Sequence, residues 1–222
     1  MWYEVAERLD PGRFTLHLLD FRGCGLSDRP RTGHDLDGYA GDLRAALASI
    51  EAPVTLVGHS MGGKLAQLVA SERPSNLARL LLVAPGLPRA LRLSPQHREL
   101  TLDAFGSRER IERFQRAAMA AQPPPATMQR IVEDALLCQF EHWIGWYDRG
   151  RGIDVSDRLA SIAIPTLVVA GAGDPLVPQA RIKTDVAGAI EAALFVSLRN
   201  AGHNLPIEAP ADIASAVERF TR

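Results

Sequence analysis

Gly58-His59-Ser60-Met61-Gly62 follows the apolar run Val54-Thr55-Leu56-Val57 and leads into a helix-like stretch from Lys64 to Ala70. A G-x-S-x-G placed between strand and helix reads as a nucleophile elbow. The turn is tight enough to strain its serine, and flanking glycines let neighbouring backbone pass close by. Ser60 Oγ is expected to stand clear of the sheet, at the positive end of the following helix. The backbone N–H of Met61 is then aimed at any oxyanion forming there.

Two other readings compete for the same residues. Gly58 to Lys64 also fits G-x-x-x-x-G-K, most of a phosphate-binding P-loop. That motif next needs a Ser or Thr for Mg²⁺, and Leu65 has no oxygen to offer. The remaining alternative is a chance G-x-S-x-G in a structural turn.

An elbow serine needs a base and a group to orient that base, in the chain order Ser, Asp or Glu, His. Ile164-Pro165-Thr166-Leu167-Val168-Val169-Ala170 reads as a buried parallel strand ending in Gly171-Ala172-Gly173-Asp174-Pro175. Asp174 thus falls just past the carboxyl end of a strand, where open α/β sheets place their sites. A further apolar run, Ala193 to Leu198, precedes Asn200-Ala201-Gly202-His203-Asn204. Ser60, Asp174 and His203 follow three strands in the required order. Taken singly, Asp174 reads as a turn aspartate capping the helix after Pro178, and His203 as a loop histidine bonded to backbone. Asp148 and Asp157 are the competing acids. Together the residues imply acyl transfer: His203 takes the proton of Ser60 and returns it to the leaving group, while Asp174 fixes the imidazole tautomer.

The chain resembles the α/β-hydrolase family over nearly its whole length. Asp20-Phe21-Arg22-Gly23-Cys24-Gly25-Leu26-Ser27-Asp28 is similar to the family's D-x-R-G-x-G-x-S-D loop, and Gly58 to Gly63 to its G-H-S-M-G-G elbow. Pro165 to Asp174 resembles the P-T-L-V-x-x-G-x-x-D segment carrying the acid. Gly202-His203 with Pro206, Glu208 and Pro210 resembles the catalytic-histidine loop and last helix. The resemblance implies an α/β fold, a mostly parallel doubly wound sheet with an inserted helical cap. It also implies a serine hydrolase acting on a carboxylic ester, thioester or lactone. Hydrolytic C–C cleavage or cofactor-free perhydrolysis on the same triad, and a non-catalytic ligand binder, stay open.

Residues 1–85 and 158–222 are expected to form the core, with strands at Phe14 to Leu19, Val54 to Val57 and Ala78 to Ala84. Asp35 is expected to cap a helix whose Leu36, Tyr39, Leu43, Leu47 and Ile50 recur at three- and four-residue steps. Residues 86–157 break the alternation and read as the cap. Met128, Ile131, Val132, Leu136, Phe140, Trp143, Ile144 and Tyr147 make its apolar stripe. Most of these should pack cap on core, with Trp143 or Trp146 lining an apolar substrate pocket.

Composition sets limits. The chain has 222 residues, 46% hydrophobic and 23% charged, which suits one globular domain. A net charge of −1 gives no electrostatic case for nucleic acid or an anionic membrane. No apolar run approaches a membrane span and no signal pattern opens the chain, so a cytoplasmic protein is the default. Cys24 and Cys138 are too few for a disulfide framework. His34, His97 and His142 show no ligand spacing, so no metal is expected. Gly23-Cys24-Gly25 and Gly171-Ala172-Gly173 lack the third glycine of a dinucleotide loop, and no cofactor is expected. His59 reads as packed within the elbow and His17 as a core residue. The partner expected is a small ester or lactone.

Trp2, Val5, Ala6 and Leu9 recur at helical spacing from the first residue. Family members carry a strand and a His-Gly loop ahead of such a helix, and nothing here resembles that segment. The resemblance therefore implies a chain lacking one strand and its second oxyanion N–H, expected to be poorly stable and weakly active.

Overall fold

A computed structural model describes residues 1–91 and 94–222, apart from the side chain of His97. The metal reading of His97 therefore lies outside the described residues. A short helix α1 (Tyr3–Ala6) opens the chain, followed after a long loop by α2 (Leu36–Ala48). Asp35 Oδ1 accepts from Gly38 N at 2.9 Å, satisfying one of the first-turn donors that a helix cannot satisfy itself. Leu36, Tyr39, Leu43 and Leu47 all face inward.

Four parallel strands follow, β1 (Val54–Ser60), β2 (Leu77–Pro85), β3 (Thr166–Gly171) and β4 (Leu194–Leu198), hydrogen-bonded in that order. α3 (Met61–Ser71) crosses from β1 to β2. Successive strand residues point to opposite faces, and here both faces are covered. Leu80, Leu82, Val168 and Ala170 pack with α2 and α3. Leu81, Val83, Leu167 and Val169 pack with α1 and the C-terminal helix. Leu80, Leu81 and Leu82 are fully buried, each contributing about 1.5–3 kcal/mol.

Phe14 to Leu19 is not a strand. Among the described residues it joins no sheet, and Leu16, Leu18 and Leu19 are 43%, 57% and 45% exposed. An apolar run becomes a strand only beside a backbone that accepts its ladder. This one pairs with none of β1 to β4, whose ladder runs without it. His17 lies in the same segment and is exposed, not in a core.

Between β2 and β3 the chain turns helical: α4 (Pro95–Ala104), α5 (Arg108–Ala117), α6 (Pro125–Leu136) and α7 (Phe140–Gly145). Ile111, Met119, Met128, Ile131, Val132 and Trp143 form an apolar cluster of their own there, joined by Ile207. Cys138, just after α6, is disulfide-bonded to Cys24 in the loop before α2, 114 residues away. That pairing was not readable, because the two cysteines meet only through tertiary packing of this loop on the helical segment. After β3 come α8 (Gln179–Arg181), β4, α9 (Leu205–Glu208) and α10 (Pro210–Phe220). Among the described residues no helix is long and apolar enough to cross a membrane.

Candidate active site

β1 ends at Ser60 and α3 begins one residue later, so the chain reverses within a single residue. Ser60 takes φ 50° and ψ −117°, a conformation L-residues avoid, at a cost on the order of 1–3 kcal/mol. Two glycines permit the turn. A Cβ on Gly58 would lie 2.5 Å from Gly62 O, and one on Gly63 would lie 2.7 Å from Pro85 Cβ. Neither obstacle is a flexible side-chain tip. Met61 is the first residue of α3, where backbone N–H groups have no intrahelical acceptor.

Asp174 lies in the turn after β3, and its carboxylate is divided between two tasks. Oδ1 accepts from Leu176 N at 2.8 Å and Val177 N at 2.9 Å. Oδ2 stands 2.8 Å from His203 Nδ1. A carboxylate oxygen can only accept, so Nδ1 is the donor there, and in the neutral form of the ring Nε2 is left with the lone pair. That lone pair faces Ser60 Oγ at 2.8 Å. Asp174 and His203 are both buried. The structure thus brings Ser60, Asp174 and His203 into one hydrogen-bonded line. The competing acids lie elsewhere: Asp148 is paired with Arg98 at 2.7 Å, and Asp157 is exposed.

His59 does more than fill space. Its Nε2 donates to the backbone carbonyl of His203 at 2.9 Å, and the two rings lie 5.2 Å apart. Burial, with the neighbouring His203 adding to it, pushes the His59 pKa down to about 3, so the ring stays neutral.

Lys64 shows where the P-loop cation goes. It is 1% exposed, and its Nζ donates to the carbonyls of Ile153 at 2.5 Å, Arg151 at 3.3 Å and Arg89 at 3.5 Å. Burial lowers its pKa to about 8. The ammonium is thereby committed to both ends of the helical segment, with Leu65 buried beside it.

The two tryptophans part company. Trp143 is buried in the helical segment's own cluster and donates from Nε1 to Thr101 O at 2.8 Å. Trp146 is half-buried against the cluster that also holds Met61 and Phe21.

The sequence gives His142 no ligand spacing, yet one of its ring nitrogens and both cysteine sulfurs lie within 4.8 Å of one another. The sulfurs are bonded to each other, which removes them as thiolate ligands. Burial lowers the His142 pKa to about 4, and Nδ1 meets Tyr39 Oη at 2.9 Å and Arg22 O at 3.2 Å.

Residues 1–216 match the model of the alpha/beta hydrolase family. A non-heme chloroperoxidase from Streptomyces lividans is 30% identical over 180 residues, covering 72% of this chain and 64% of that protein, just under two thirds of its length. An esterase from Exiguobacterium antarcticum superposes with a TM-score of 0.83 at 21% identity, over 91% of this chain and 80% of the other. The enol-lactonase of Burkholderia xenovorans LB400 superposes at 0.79 and 22%, over 91% and 78%. At such identities the two structural likenesses speak for the fold alone, while the family match spans the elbow, the Asp174 turn and the His203 loop. The chain belongs to the alpha/beta hydrolase family.

Proposed function

We propose that the protein is a serine hydrolase that cleaves a small carboxylic ester, thioester or lactone through an acyl-enzyme. The observation that carries this is the tautomer set by geometry: Nδ1 of His203 donates to Asp174, so Nε2 is free to take the Ser60 proton. Ser60 Oγ attacks the carbonyl as Nε2 accepts that proton, and Asp174 stabilises the imidazolium without taking the proton itself. The Met61 N–H, at the positive end of α3, stabilises the tetrahedral oxyanion. His203 then protonates the leaving alcohol or thiol, and water activated by the same nitrogen releases the acid.

The helical segment over residues 86–157 serves as the cap, supported by its separate apolar cluster. Of the two tryptophans, Trp146 is the better candidate for substrate contact, since it is half-buried against the core cluster on which Met61 also packs, while Trp143 is committed within the cap.

A second reading rests on the chloroperoxidase relative. The same acyl-enzyme attacked by hydrogen peroxide in place of water would release a peracid, with no change in the residues used. A panel of p-nitrophenyl esters of increasing acyl length, assayed with and without peroxide, tests both readings. Turnover lost in His203→Ala supports the acyl-enzyme route that both readings share, hydrolysis exceeding peracid formation favours the hydrolase, and the reverse favours the second reading. Esters left untouched by the wild-type chain would count against both.

A further inference from the structure

The loop that carries His203 is fastened from both sides by one carboxylate. Glu208, at the end of α9, accepts from Gly202 N at 2.8 Å and from Asn204 N at 2.9 Å, the residues immediately before and after His203. It also accepts from Ala120 N at 2.8 Å and Ala121 N at 2.9 Å, in the turn between α5 and α6. Oε2 takes three of these bonds and Oε1 the fourth. Hydrogen bonds from backbone N–H to an ionised carboxylate are among the stronger ones available to a protein.

The seam around it is close-packed. His203 N donates to Ala118 O at 2.9 Å, and Asn204 Nδ2 donates to Gln115 Oε1 at 3.0 Å. A Cβ on Gly202 would lie 2.5 Å from Ala120 N, so only a glycine lets the two backbones approach this far. The 115–121 turn and the 201–204 loop therefore behave as one body, with the Glu208 carboxylate at their junction.

We infer that Glu208 is a positioning residue: it holds His203 through the backbone on either side and ties the base to the helical segment. Among the ties on the His203 loop, this one carboxylate joins the backbone on both sides of the base to the helical segment. The inference rests on the serine-hydrolase reading, because it assigns Glu208 a kinetic consequence at Ser60.

Replacing the carboxylate leaves N–H groups facing no acceptor, or facing an amide NH₂. Glu208→Gln keeps size and one acceptor oxygen. Its amide nitrogen must oppose either the Asn204 N–H alone or the Gly202, Ala120 and Ala121 N–H groups together, so in either orientation His203 loses one of the two flanking restraints. A misplacement near 1 Å can cost about 10²-fold in rate. We expect kcat for ester turnover, and the rate of fluorophosphonate labelling, to fall about 10- to 100-fold in Glu208→Ala and less in Glu208→Gln. KM should stay within about twofold of wild type if the group acts only through His203.

The test measures labelling rate, kcat and KM in wild type, Ser60→Ala, Glu208→Gln and Glu208→Ala, with a thermal melt on each. Wild-type labelling absent in Ser60→Ala, alongside folded Glu208 variants that label at the wild-type rate, overturns the inference and leaves the hydrolase reading standing. No labelling of wild type would sink that reading instead. Amide hydrogen exchange on the wild-type protein decides the structural part even if both variants fail to fold. The Ala120, Ala121, Gly202 and Asn204 amides should be protected together, and rapid exchange at Ala120 and Ala121 would refute the fastening.

Discussion

His203 Nδ1 meets Asp174 Oδ2 at 2.8 Å while the other oxygen of the same carboxylate is held by two backbone N–H groups. This division decides what happens when the charge is removed. In Asp174→Asn the amide oxygen must remain on the Leu176 and Val177 N–H groups, which turns the NH₂ toward His203. The ring then has to accept at Nδ1 and carry its proton on Nε2, where it cannot take a proton from Ser60. Ester turnover should fall by a factor on the order of 10⁴ with the fold retained. Near-wild-type turnover in Asp174→Asn would refute the role.

His59 ties acid stability to the site. Its pKa drops from 6.5 to about 3 on folding because the ring is buried. Below the unfolded value the unfolded chain binds the proton that the native chain refuses, so stability is full above about pH 6.5 and is lost as pH falls toward 3. His142, lowered to about 4 by burial, adds to the same window. His59→Gln retains a side-chain donor for the His203 carbonyl but does not titrate. Its urea midpoint should decline less steeply between pH 6.5 and 4 than that of wild type, and parallel declines would count against the linkage.

Lys64 works in the same direction in a more alkaline window. Folding lowers its pKa from 10.5 to about 8, so between those values the unfolded chain holds the extra proton. Stability from this group therefore rises as pH goes from 8 toward 10.5. The stability of wild type relative to Lys64→Met should grow over that interval. A difference that stays flat would mean that Lys64 keeps its ordinary pKa despite its burial among carbonyls.

The Cys24–Cys138 bond closes a loop of 114 residues and joins the loop before α2 to the helical segment. In the chain-entropy account such a closure contributes up to about 4.7 kcal/mol, with measured values often smaller. Reduction by a phosphine, or Cys24→Ser with Cys138→Ser, should lower the denaturant midpoint. An unchanged midpoint would show that the bond adds nothing to the folded state.

Much of the fold was legible because it rests on local signals. The apolar runs at residues 54, 78, 164 and 193 mark β1 to β4, and Asp35 with its periodic apolar residues marks α2. The candidates Ser60, Asp174 and His203 were legible from the G-x-S-x-G elbow, from chain order and from their positions after apolar runs, since the parallel sheet brings those strand ends together. What stayed hidden depends on contacts that no local pattern encodes. Phe14 to Leu19 has the apolar content of a strand but pairs with none of β1 to β4. Cys24 and Cys138 meet across 114 residues. Glu208 showed only as part of a resemblance, and its grip on four amides needs two segments more than 80 residues apart in the chain. The π-helical turns over residues 146–150 and 182–186 left no signal in the apolar periodicity.

The central claim is that Ser60 is the nucleophile. Treat wild type and Ser60→Ala with a fluorophosphonate, measure intact mass, and map the modified peptide. The account predicts one adduct per wild-type chain, located on Ser60, no adduct in Ser60→Ala, and residual ester turnover in that variant of only about 10³–10⁴ over water. Equal labelling of the two proteins, or an adduct on a different residue, would contradict it.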